Sequence, residues 1–185
     1  MKRYVPAALT TVRLLLGPIA LICAIAKVAR WVYLPILITG TLSDVFDGIV
    51  ARRFGVSTAK LRRYDSVTDA IYYSFLLVVC WMLCRPVILR GMPAIAVLIA
   101  SELAVIIVSL ARFRKYPATH TYLAKFYGLC FLAALIALLG FGASSWPLVA
   151  LATVAVVTNA EIVTIHCMAD SPPVDVRSIL AAQRS

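Results

Sequence analysis

The chain has 185 residues, of which 63% are hydrophobic and 14% charged, and it carries a net charge of +10. An average soluble domain is about 45–50% apolar and about 25% charged, so a soluble globular protein is excluded and lipid is the solvent for most of this chain. The basic residues lie in short clusters between apolar runs, which is the pattern of membrane topology and argues against a nucleic-acid partner.

The apolar runs predict six spans, at 7–27, 31–50, 66–84, 93–113, 122–141 and 147–168, each near the ~20 residues that cross a bilayer as a helix. The expected architecture is an all-α integral membrane protein, a bundle of six transmembrane helices with both termini cytoplasmic, forming a single transmembrane domain over 1–185. Lys2 and Arg3 precede the first run as in a signal peptide, but the run is long enough to span and reads as an uncleaved first helix. Breaks are expected at Arg85-Pro86, Gly91-Met92-Pro93, Tyr116-Pro117 and from Gly142 to Pro147.

Orientation follows from Lys and Arg. With the N-terminus inside, the cytoplasmic segments hold Lys2, Arg3, Arg52, Arg53, Lys60, Arg62, Arg63, Arg112, Arg114, Lys115, Arg177 and Arg184, while the other side holds only Lys27, Arg30, Arg85 and Arg90. Cys23, Cys80, Cys84, Cys130 and Cys167 all lie inside apolar runs and read as buried thiols. Cys80 and Cys84 share a helix face, yet no second Cys or His pair completes a zinc site.

The eight acidic residues are the informative ones, because four of them, Asp44, Asp47, Asp65 and Asp69, fall within 26 residues. On a helix, Asp44, Asp47, Gly48, Ala51 and Gly55 fall within an arc of about 100°, with Arg52 at its edge. Asp65 and Asp69 open the third span as an i,i+4 pair. A short cytoplasmic loop makes the two helices antiparallel neighbours, so all four carboxylates converge just inside the interface. Each buried charge costs on the order of 2.5–3.5 kcal/mol at mid-bilayer, and two divalent cations would cancel the four charges. Oxygen-only ligands select Mg²⁺ or Mn²⁺. Gly48 and Ala51 leave the helix surface bare, and Arg52 beside them offers a bidentate phosphate contact. Metal, phosphate and open backbone describe a site for a pyrophosphate-containing substrate.

This stretch resembles the signature of the CDP-alcohol phosphotransferase family, D-x-x-D-G-x-x-A-R, eight residues, then G-x-x-x-D-x-x-x-D. Asp44, Asp47, Gly48, Ala51, Arg52, Asp65 and Asp69 stand in register, and Leu61 replaces the later glycine. Upstream, Pro6 to Arg13 is similar to the family's P-N-x-L-T-x-x-R element, with Ala7 in place of Asn. The resemblance implies a metal-dependent transfer of a phosphatidyl group from a CDP-linked donor, most often CDP-diacylglycerol, to a small alcohol acceptor with release of CMP, in phospholipid biosynthesis. It implies two divalent ions on Asp44, Asp47, Asp65 and Asp69, with Asp69 also the catalytic base. It implies that Asp44, Asp47, Gly48, Ala51, Arg52 and Asp65 hold the nucleotide, with Thr10 and Arg13 as further contacts. A homodimer in the cell inner or plasma membrane, with its active site facing the cytoplasm, completes the family expectation. A glycine at position 61 would lie near the nucleotide, so Leu61 either crowds the ligand or sits in a rearranged loop where Ser57 and Thr58 supply polar contacts.

Arg112, Lys115 and Lys125, on the cytoplasmic side, are candidates for an acidic acceptor or a lipid phosphate. Glu102, Asn159 and Glu161 are intramembrane polar residues that either pair between helices or touch substrate, and His120 and His166 read as structural. Two other readings stay open: a small cation transporter, for which discontinuous helices or paired repeats would be diagnostic, and a non-catalytic family member.

Overall fold

The computed structural model describes residues 5–54, 58–117, 121–169 and 171. Among them the chain is helical, with no strand. The helices are α1 (Val5–Ile25), α2 (Tyr33–Arg53), α3 (Ala59–Arg90), α4 (Met92–Phe113), α5 (Tyr122–Leu135) and α6 (Trp146–Met168), with a 3₁₀ turn at Arg30–Val32 and a π-helical turn at Ile136–Gly140. Six segments are long and apolar enough to cross a membrane: Ala7–Ile25, Arg30–Val50, Arg63–Arg90, Met92–Phe113, Tyr122–Gly140 and Trp146–Met168. They match the expected spans closely except the third.

That third span runs on through Arg85-Pro86, where a break was expected, and the helix ends only at Arg90. Proline removes a backbone donor and crowds the preceding turn, and the distortion appears at Cys84, which leaves helical geometry with φ −126° and ψ 16°. The helix continues because the disturbed turn finds other partners. Arg30 donates from Nη2 to the Leu83 carbonyl at 3.0 Å and from Nη1 to the Leu138 carbonyl at 3.0 Å. The Cys84 thiol donates to the same Leu138 carbonyl at 3.4 Å. Gly142, at φ +65°, faces the Arg30 guanidinium, so two residues past the π-turn the chain passes through a left-handed glycine beside that arginine.

The chain divides into two compact units. One holds residues 1–85 and 135–143, the other 86–134 and 144–185. In the first unit α1 packs on α2, and both meet the opening half of α3. The contact stripes follow helical spacing. On α1 it is Thr10, Arg13, Gly17, Ala20 and Ala24; on α2 it is Tyr33, Leu37, Gly40, Ser43 and Asp47; on α3 it is Thr68, Tyr72, Leu76 and Val79, all of them buried. Small residues at these positions let backbones approach, the usual basis of helix association in lipid. A Cβ on Gly17 would meet Phe75, and one on Gly40 would collide with the Tyr72 hydroxyl, which donates to the Ile36 carbonyl at 3.3 Å.

In the second unit α4 packs on α6. Asn159 donates to Ser101 at 3.0 Å, and Gly91, at the start of α4, lies against Leu148. α4 closes on Arg114 in the left-handed region at φ 54°, whose amide bonds the Leu110 carbonyl at 2.9 Å, while Ser109 donates to the Lys115 carbonyl at 2.8 Å. The first of these bonds satisfies a carbonyl that a helix end leaves without a partner, and the second ties the chain beyond the helix back to it.

Candidate active site

The buried stripes of α1, α2 and α3 each end in polar residues at the same end of the first unit. Asp44 and Asp47 lie three apart on α2, Asp65 and Asp69 four apart on α3, and Thr10 and Arg13 three apart on α1; such spacings put each pair on one helical face. Arg13 is the centre. Its side chain is only 2% exposed. Nη2 donates to Asp47 Oδ2 at 2.6 Å and to Asp65 Oδ1 at 3.2 Å. Nη1 lies 3.0 Å from Asp44 Oδ1 and is also paired with Asp69 Oδ1. The Nη1 contacts are ion pairs by distance without aligned hydrogen bonds, and Nε has no hydrogen-bond partner among the described residues. Thr10 donates to Asp47 Oδ2 at 3.0 Å, so that one oxygen accepts from both α1 side chains.

The carboxylates differ in exposure along the site. Asp47 is buried, with its side chain 7% exposed, whereas Asp44 is 49% exposed and Asp65 and Asp69 lie between. The cleft is therefore closed at Asp47 and open at Asp44. Each of Asp44, Asp47 and Asp65 offers a carboxylate oxygen within 4.8 Å of the others. Octahedral ligands about 2.1 Å from an ion stand up to about 4.2 Å apart, so small side-chain rotations bring this oxygen set around one Mg²⁺ or Mn²⁺. The donor set fits a hard divalent ion.

All four aspartates proposed from spacing thus come together, and Thr10 and Arg13 join them. Arg13 was expected only as a further nucleotide contact. Its place amid the carboxylates had a legible signal: it continues the stripe Gly17, Ala20, Ala24 and so had to face protein. Gly48 is partly exposed on α2, while the side chains of Ala51 and Arg52 lie outside the described residues, as does Ser57. Leu61 is not in a loop. Thr58 precedes α3 and accepts the Leu61 amide at 3.2 Å, capping the helix and placing Leu61 in its first turn. Tyr64, near the start of α3, shares a 2.9 Å hydrogen bond with Thr11 of α1.

The three cationic candidates belong to the second unit. Arg112 donates to the Ala169 carbonyl at 3.1 Å and lies 5.8 Å from the Phe113 ring. Lys115 is exposed, and Lys125 lies 5.6 Å from the Tyr122 ring. Two of the intramembrane polar residues pair between helices: Glu102 with Tyr127 and Asn159 with Ser101. Glu161 Oε2 is buried without a hydrogen-bond partner among the described residues. His166 is buried, with Nδ1 2.8 Å from the Ile162 carbonyl and its ring 5.8 Å from that of Phe113, in keeping with a structural role. His120 lies outside the described residues.

Comparison with known proteins gives one match. The family model described as CDP-alcohol phosphatidyltransferase covers residues 3–164. No curated protein and no solved structure matches the chain.

Proposed function

The chain belongs to the CDP-alcohol phosphatidyltransferase family, and on that premise we propose that it transfers a phosphatidyl group from CDP-diacylglycerol, or another CDP-alcohol, to a small alcohol, releasing CMP. The family comprises transferases of substituted phosphate groups that serve phospholipid synthesis and use divalent metal, and six apolar helices make this member an integral membrane protein. One observation carries the reading: four aspartates in the family's spacing meet around a buried arginine on three adjoining helices.

Asp44, Asp47 and Asp65, with Asp69, would hold Mg²⁺ or Mn²⁺. Bound there, such ions polarise phosphoryl oxygens and neutralise charge on the departing CMP. The protein's own part is positioning and proton transfer. Gly48 and Ala51 leave room for the nucleotide along α2, and Arg52 binds its phosphates. Asp69 takes the proton of the acceptor hydroxyl as the acceptor oxygen bonds to the lipid-bearing phosphorus. The bond from that phosphorus to the bridging oxygen breaks, its electrons leave with CMP, and the proton passes from Asp69 to solvent. Arg112, Lys115 and Lys125 are proposed contacts for an acidic acceptor or a lipid phosphate. The chain works as one transmembrane domain and as a homodimer in the cell inner or plasma membrane, with both termini and the site on the cytoplasmic side, where the cationic loops favour anionic lipid.

The test uses purified protein, Mn²⁺ or Mg²⁺, CDP-diacylglycerol and a panel of alcohols, read as CMP release. Acceptor-dependent CMP is expected. No CMP with any acceptor, alongside cation flux into liposomes, would favour a transporter. The carboxylates lie on continuous turns of α2 and α3, away from the distorted turn at Cys84, whereas a transporter places its ions at interrupted helices.

A further inference from the structure

We propose that Arg13 is the resident counter-ion of the aspartate site and couples the binding of divalent metal to that of the donor's pyrophosphate. This inference rests on the reading of the site given above. The guanidinium touches all four carboxylates with its two terminal nitrogens, and those carboxylates are the oxygens a metal must take. Arginine stays protonated at any physiological pH, so it cannot leave by losing its charge. Metal and guanidinium therefore compete for the same lone pairs.

Charge decides what happens next. Four carboxylates and one guanidinium leave the site at minus three. Two divalent cations bring it to plus one, with Arg13 still 98% buried and stripped of its partners. A buried charge without a partner is strongly unfavourable. The doubly charged pyrophosphate of a nucleoside-diphosphate donor supplies the missing anion, and a guanidinium matches phosphate oxygens in a bidentate fashion. Nε, which has no hydrogen-bond partner among the described residues, is a donor already available for it. Arg13 is buried, on the face of α1 that it shares with Gly17, Ala20 and Ala24, so water does not replace the partners it loses. Metal alone is thus penalised, and metal with pyrophosphate is not. By linkage, each tightens the other by the same factor.

Titration calorimetry with Mn²⁺ on the detergent-purified full chain, with and without CDP and corrected for Mn²⁺–CDP association in solution, tests this. In the wild type, CDP should tighten Mn²⁺ at least tenfold. In Arg13→Gln, Mn²⁺ alone should bind at least fivefold tighter than in the wild type, and the gain from CDP should shrink at least fivefold. Arg13→Lys, which keeps the charge, should restore part of that gain. Without metal, Arg13→Gln should melt earlier than the wild type and recover with Mn²⁺, because the carboxylates lose the cation that all four of them contact. Weaker or unchanged Mn²⁺ binding in Arg13→Gln that melts cooperatively would overturn the proposal. If that variant does not fold, a wild type in which CDP does not tighten Mn²⁺ would overturn it equally. Normal CMP release with no coupling would reject Arg13's role and leave the proposed reaction standing, whereas absent CMP release would reject the reaction.

Discussion

At the scale of single residues, the site is a set of charges whose positions in lipid require partners. Asp69 is partly exposed on α3 and paired with Arg13, so Asp69→Asn removes the proposed proton acceptor and metal ligand while keeping the shape. CMP release should fall at least 10²-fold, the usual scale for losing a general base, with the melting temperature nearly unchanged; full activity would refute the assignment. Leu61 raises a different question. In the first turn of α3, a leucine favours the helix and a glycine costs about 1 kcal/mol. Leu61→Gly should therefore lower the melting temperature modestly and raise CDP affinity severalfold, both measurable by calorimetry, if the side chain crowds the nucleotide. The four aspartates were legible because carboxylates are rare in apolar runs and their spacing is helical. Arg13's partners were not, since they lie 31 to 56 residues further along the chain and no local rule joins them.

Elements show where local punctuation misleads. Arg85-Pro86 reads as a stop, yet α3 crosses it, and an arginine more than fifty residues earlier donates to the Leu83 carbonyl of the disturbed turn. Proline rules presume that such carbonyls must go to water; in a membrane protein they go to another side chain. The same arginine had been counted only for topology. Arg30→Met should leave the Leu83 carbonyl without its side-chain donor, at about 1–3 kcal/mol, while the Leu138 carbonyl keeps the Cys84 thiol. A lowered unfolding midpoint in detergent, with CMP release at low temperature retained, would check it; an unchanged midpoint would mean that the kink needs no cap. The helices themselves were legible from hydropathy, and their packing faces followed from small residues at positions 17, 20, 24 and 40.

For the whole molecule, the positive-inside count yields a definite expectation. Single cysteines introduced at Arg63 and Trp31 in a cysteine-free background should label from opposite sides of sealed vesicles, Arg63→Cys from the cytoplasmic face. Labelling of Arg63→Cys from the outer face would invert the proposed orientation, and labelling of both from one side would rule out the span between them. Hydropathy conveyed the number of spans because lipid imposes a length on each one. The division into two compact units was legible only in part: two of its boundaries fall at Arg85-Pro86 and between Gly142 and Pro147, where the sequence is punctuated, but the third, between Ala134 and Leu135, falls inside α5, where nothing in the composition marks it.

The length of α3 has a mechanical consequence. Twenty residues separate Asp65 from Arg85, a rise of about 30 Å, which equals the thickness of a typical hydrocarbon layer. The helix is thus a ruler with a charge at each mark. Its 32 residues reach past that length at the Ala59 end, which in the proposed orientation holds the four carboxylates level with the phosphates of surrounding lipids. The CDP-lipid of the proposed reaction would meet them without being lifted from its layer, and a thinner or thicker bilayer must deform or tilt the helix, at a cost of a fraction of a kcal/mol per Å. The enzyme is in this sense fitted to the thickness of the membrane it helps to build.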